Sequence, residues 1–302
     1  MNTSITSSIT RGQKKQYARL GEDAVKKGIA IALKKIDDKD GMQKLLESGD
    51  EFQSAVIDVI VAKTRELSIS NQYANEEVES SYGYFSGYKK PKGMTEQTNI
   101  LRQLISGIGF ANEELAQKPL PENSEAEGYF AIPRWESVAP TYGEAVQKVL
   151  NLIKQTRNGK FHNYRENQIG PKYLQQSEKS AKAFQKIGEE QKGYDILVVP
   201  AQFGILHRGR SVRRAREVMR AFQFGLGAFA IGIMLLTHPE RLRHYDDLWI
   251  DCAGDEFAPG AGGFFSDAPL FGFYDSGVVF RAGRVGNADG YYGSASGFLP
   301  QF

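Results

Sequence analysis

The amino-acid sequence predicts an α/β or α+β fold, with a helical N-terminal part and a C-terminal mixed β-sheet flanked by helices and ending in a Gly/aromatic-rich β-hairpin tail. Three observations carry this. Before residue 117, apolar residues recur mainly at helical spacing. From Tyr129 onward, helix-like segments precede short aliphatic runs, the pattern of an α/β layer rather than a bundle. The last 46 residues contain ten glycines, many aromatics and no lysine. The expected organisation is a flexible tail over 1–10, a mainly helical part over 11–117, an α/β core over 129–256 and a docked β-rich tail over 257–302.

Met1–Thr10 is polar and Ser/Thr-rich, without the apolar core of a signal peptide. From Gln13 to about Asp37 the spacing predicts a helix with Tyr17, Leu20, Ala24, Gly28 and Ile31 on one stripe. Ser48-Gly49-Asp50-Glu51 reads as a capping box opening a second helix. Phe52, Val56, Val59, Ile60 and Leu67 give that helix a packing face, and the two helices are expected to pack together. Tyr82–Lys92 interleaves four aromatics with three lysines. This is either a weak single-stranded nucleic-acid signature or a packed loop covering a core edge. A short helix follows around Thr95–Leu104, then a Pro/Glu-rich, linker-like stretch from Lys118 to Glu127.

Tyr129–Ile132 reads as a strand ending at Pro133. Thr141–Glu144 is a second capping box, and Ser177–Glu190 a further helix. Ile196–Val199, closed by Pro200, suits a strand buried on both faces. Ser211 is an N-cap for a helix to Phe222, with Val212, Ala215, Val218 and Met219 inward and Arg213, Arg216, Glu217 and Arg220 outward. Thr237–Glu240 is a third capping box, for a helix of about eight residues. Too short a crossover for parallel pairing, it sets Leu248–Cys252 antiparallel to the preceding strand. Phe271–Tyr274 and Val278–Phe280 flank Asp275-Ser276-Gly277 as a hairpin, with glycine at the tight position.

Composition excludes several classes. A net charge of +2 does not by itself imply a nucleic-acid partner. All 21 lysines lie at or before Lys192, whereas ten of the 17 arginines follow it. An arginine-only half suits bound anions or internal ion pairs equally. One cysteine excludes an intramolecular disulfide, and four histidines without paired spacing give no zinc site. The longest uncharged run, Ala221–Leu236, is 16 residues, shorter than the roughly 20 a spanning helix needs. The expectation is a cytoplasmic protein with no membrane contact. Walker, Rossmann and nucleophile-elbow patterns do not occur.

Three constellations remain. His207-Arg208-Gly209-Arg210-Ser211, with Arg213 and Arg214, offers guanidinium groups and helix-start amides to a phosphate. Its alternative is a basic face pairing with Glu217, Asp246 and Asp247. Asp251, Asp255 and Glu256 at a strand end could hold Mg²⁺ or Ca²⁺, or could pair with Arg241 and Arg243. Asp251 and His207 are the candidate catalytic residues. Cys252 with His207, His238 or His244 would be nucleophilic only within hydrogen-bond reach. The first expectation is therefore binding of a phosphate-bearing partner, a nucleic acid or nucleotide. The second is a metal-dependent hydrolase or phosphotransferase. The third is a structural or assembly protein of a phage or mobile element, forming homo-oligomers through its C-terminal tail.

Overall fold

The computed structural model describes residues 10–36, 38–67, 71–121 and 124–299. Of the expected flexible tail over 1–10 all but Thr10, which caps the first helix, lies outside them, as does the last aromatic, Phe302. The chain divides into two compact units, Met1–Ser68 and Ile69–Phe302.

The first unit is three helices: α1 (Arg11–Leu33), α2 (Lys39–Glu47) and α3 (Gly49–Leu67). Thr10 and Gln13 form a capping box at the start of α1. Asp38 caps α2, a helix the sequence reading passed over. Ser48 closes α2 and, as expected, also opens α3, its carbonyl receiving the Phe52 amide. The hydroxyls of Tyr17 and Thr64 are hydrogen bonded, tying α1 to α3. Inside the unit the half-buried positions include Val25, Leu45, Val56 and Ile60. Neither α1 nor α2 has a buried residue.

The second unit is α+β. Its elements are α4 (Met94–Leu104), β1 (Gly128–Pro133), α5 (Tyr142–Thr156), β2 (Phe161–Asn163), β3 (Leu174–Gln176), α6 (Glu178–Glu190) and β4 (Ile196–Gln202). Then come α7 (Val212–Val218), β5 (Gln223–Gly225), α8 (Ala228–Thr237), β6 (Trp249–Asp251), β7 (Asp255–Phe257), β8 (Asp267–Tyr274), β9 (Gly277–Arg284), β10 (Tyr292–Ser294) and β11 (Ser296–Phe298). One sheet is antiparallel, in the order β1-β4-β11-β5. The other is mixed, in the order β10-β6-β8-β7-β3, with β9 joining β8 to β2. Its β10–β6 and β9–β2 pairs are parallel. Among the described residues no helix is long and apolar enough to cross a membrane.

The uncharged run after Gln223 becomes β5 and then α8, all ten of whose residues are buried. A helix apolar all round must sit inside the core. Gly232 lets α8 approach α5 so closely that a Cβ would collide with Val149. The C-terminal strands belong to both sheets: β8 to β10 build the mixed one, and β11 inserts between β4 and β5. Phe271, Phe280 and Phe298 are buried within their own chain.

Several local expectations are corrected. β4 runs through Pro200, because the ladder to β11 ends at Gly297↔Ala201 and the missing N–H falls beyond it. α7 stops at Val218, since Met219 turns extended to deliver β5. Thr237 opens no helix. Its hydroxyl bonds back to the Ile233 and Met234 carbonyls of α8, and only a short 3₁₀ turn, Pro239–Arg241, follows. β6 lies in the other sheet from the preceding β5 and pairs with β8 and β10. In the β8–β9 hairpin, Asp275 and Ser276 take positive φ (50° and 64°), the type I′ geometry, while Gly277 is already paired with Tyr274.

Candidate functional site

The arginine loop enters from β4 and turns at Gly209, whose φ is 73°. A Cβ there would strike the Val78 carbonyl, so the glycine serves the chain's own packing. Ser211 caps α7 as expected, accepting the Arg214 amide at 3.1 Å. Its hydroxyl also donates to Glu76 at 2.6 Å. The Arg213 amide is spent on the Val285 carbonyl. The guanidinium groups are engaged as well. Arg213 forms an ion pair with Glu76, and Arg214 with Glu77 and Glu217. Arg210 lies 3.4 Å from Glu77, and Arg208 donates to the Tyr82 carbonyl. The Arg213 hydrogen bond holds Glu76 below the usual carboxylate range. Burial pulls Glu77 upward, but Arg214 and Arg210 leave it lowered overall. Of the acids expected beside these arginines, Glu217 is present. Asp246 and Asp247 give way to Glu76 and Glu77.

The three carboxylates at the end of β6 do not gather. Alternation along β7 sends Asp255 inward and Glu256 outward, where Gln175 donates to it at 2.7 Å. Asp255 accepts from the Ala228 amide and the Tyr142 hydroxyl, each at 2.7 Å. It thereby caps α8, whose N-cap Gly227 has no side chain to do so. Asp251 is buried, and burial raises it to about 7 against the opposing pull of Arg216. The positive charge among these acids is Arg216, which donates to the carbonyls of Ala253 and Asp255. Its position was legible: Val212, Arg216 and Met219 share one helical stripe, so Arg216 faces inward, not out as its charge suggested. Among the described residues no three His, Cys, Asp or Glu side chains are grouped to hold a metal.

His207 is buried. Its Nδ1 lies 3.2 Å from the Arg210 guanidinium and its Nε2 lies 2.8 Å from the Gln223 side-chain amide nitrogen. Burial first, then the Arg210 and Lys179 charges, bring it down to about 3, so it is neutral at physiological pH. Burial likewise drives the Cys252 thiol up. Among the described residues no hydrogen bond joins His207 to Asp251 or Cys252. A cleft of about 790 Å³ opens beside Trp135, Tyr142, Phe184 and Phe229. Of its polar lining groups, Tyr142 and Arg134 are hydrogen bonded within the protein, and Glu136, Gln185, Glu189 and Lys192 also face it.

The Tyr82–Lys92 loop proves to be two surfaces. Tyr84 and Tyr88 turn inward and donate to Glu127 at 2.6 and 2.8 Å. The buried Arg241 guanidinium lies 3.9 Å from the Tyr84 ring centroid. Phe85, Lys89 and Lys90 turn outward. The loop is fastened by Asp247, which the sequence placed on the surface and which is fully buried. Its carboxylate accepts from the Phe85 and Ser86 amides, the Ser86 hydroxyl and the Arg243 and His244 amides.

No family model, no curated protein and no solved structure matches this chain.

Proposed function

We propose that this chain is a self-assembling structural protein whose N-terminal helical unit joins it to further copies of itself. The observation that carries the reading is the α1 stripe. Tyr17, Leu20, Ala24, Gly28 and Ile31 have the spacing of a packing face, yet all five are exposed, Leu20 at 64 % and Ile31 at 59 %. On α3, Phe52, Ile57 and Val59 are exposed as well. Apolar residues left open at helical spacing mark an interaction site.

Charge selects the occupant. α1 carries six cationic and two acidic side chains, α3 four acidic and two cationic. The α1 stripe of one copy therefore suits the α3 face of another, both apolar and of opposite sign. An anionic bilayer would attract α1 but repel α3.

Complementation tests it. Full-length Lys26→Glu/Lys27→Glu and Asp50→Lys/Asp58→Lys chains should each lose self-association, and mixing them should restore it. Variants that assemble like the parent, or that fail to complement, would refute the pairing.

A further inference from the structure

We propose that the loop and turn fastened by Asp247 form a binding surface for single-stranded nucleic acid, on which Phe85 and Tyr245 stack bases while Arg243, Lys89 and Lys90 meet phosphates. The two rings are the outward members of segments bound to one carboxylate. The Phe85 amide lies 2.9 Å from Asp247 Oδ1, and the His244 amide 2.9 Å from Oδ2. The Leu248 amide also donates to the Gly83 carbonyl at 2.8 Å, locking loop to turn. Phe85 is nevertheless 63 % exposed and Tyr245 64 %. Rings held out on a backbone this well pinned lose little further freedom on binding.

Each ring rests against a neighbour close in sequence. Phe85 folds over Gly83, where a Cβ would lie 3.5 Å from its edge. Tyr245 leans on His244, with centroids 4.1 Å apart. The outer faces remain for a planar partner. Around them the cations are unspent, in contrast to those of the arginine loop. Lys89 and Lys90 are exposed and in no ion pair among the described residues. Among the described residues the Arg243 guanidinium donates only to the Pro239 carbonyl. Arg157, which donates to the Leu242 and Pro239 carbonyls, adds a second guanidinium beside it. Burial and then the Arg243 charge bring Arg157 down to about 10. Of two nearby acids, Glu240 pairs with Lys92, whereas the Asp246 carboxylate is half exposed and sets the lower limit on how close a phosphate comes to Tyr245. Aromatic faces interleaved with free cations suit unpaired bases on a phosphate backbone, whereas a duplex keeps its base faces covered.

The test is fluorescence polarisation of the full chain with a labelled oligothymidylate of about 16 nucleotides at low salt. Binding should weaken by roughly 5- to 150-fold for each of Phe85→Ala and Tyr245→Ala, and Phe85→Trp should retain it. Arg243→Ala should lower the salt slope by about one. Melting temperatures of these surface variants should match the parent, which separates a lost contact from a lost fold. No binding at low salt would overturn the proposal. So would equal affinity for duplex, preference for anionic vesicles, or alanine variants that bind like the parent.

Discussion

Asp247 Oδ1 lies 2.9 Å from the backbone nitrogen of Phe85, across 162 residues of sequence. One buried carboxylate thus sets where an exposed ring stands. Replacing Asp247 with alanine strands four amides and a hydroxyl, so the cost should be about 3 kcal/mol or more. Denaturant unfolding measures it, and protease should cut the Tyr82–Lys92 loop faster than in the parent. An Asp247→Ala protein of unchanged stability would show the loop to be held elsewhere.

A second prediction follows from Asp251, raised by burial from 3.8 to about 7. A carboxyl with a raised folded pKa stabilises the fold fully below its unfolded pKa, and that contribution is lost as pH rises through 7. His207 and His238, lowered mainly by burial to about 3 and about 4, act oppositely, losing stability as pH falls below 6.5. The parent's profile mixes both, so the difference between parent and Asp251→Asn is the clean readout. It should favour the parent near pH 4 and shift toward Asp251→Asn by about 2–4 kcal/mol at pH 8. A difference independent of pH would mean that folding does not raise the Asp251 carboxyl.

The Glu76–Arg213 pair is internal chemistry. A double-mutant cycle should give a coupling of about 1 kcal/mol that shrinks with salt, because Arg213 is partly exposed. Arg213→Ala should leave oligonucleotide affinity unchanged. A large loss of affinity there would return the phosphate site to the loop beginning at Arg208.

Period and capping chemistry made much of this fold legible. The Thr141–Glu144 capping box, the helix after Ser177, the Ser211 cap and the Tyr129–Ile132 strand are local facts of the chain, and the structure has them. What the sequence hid was set by partners far away. Pro200 could stay in a strand only because β11 ends beside it. Glu76 and Glu77, in an aperiodic stretch, gave no sign that they answer Arg213 and Arg214. Asp247 read as a surface acid because nothing local reveals that amides from two segments converge on it. Charge also misled: Arg216 was assigned outward by its type although its spacing placed it on the buried stripe.

The central claim is that the open face of α1 is covered by another copy. Sedimentation velocity of the full chain over a concentration series tests it most directly. A mass that rises in multiples of the chain with concentration, and falls back to one chain in Leu20→Glu/Val59→Glu, is the predicted result. A single-chain mass at every concentration, with the exposed stripe intact, would contradict it.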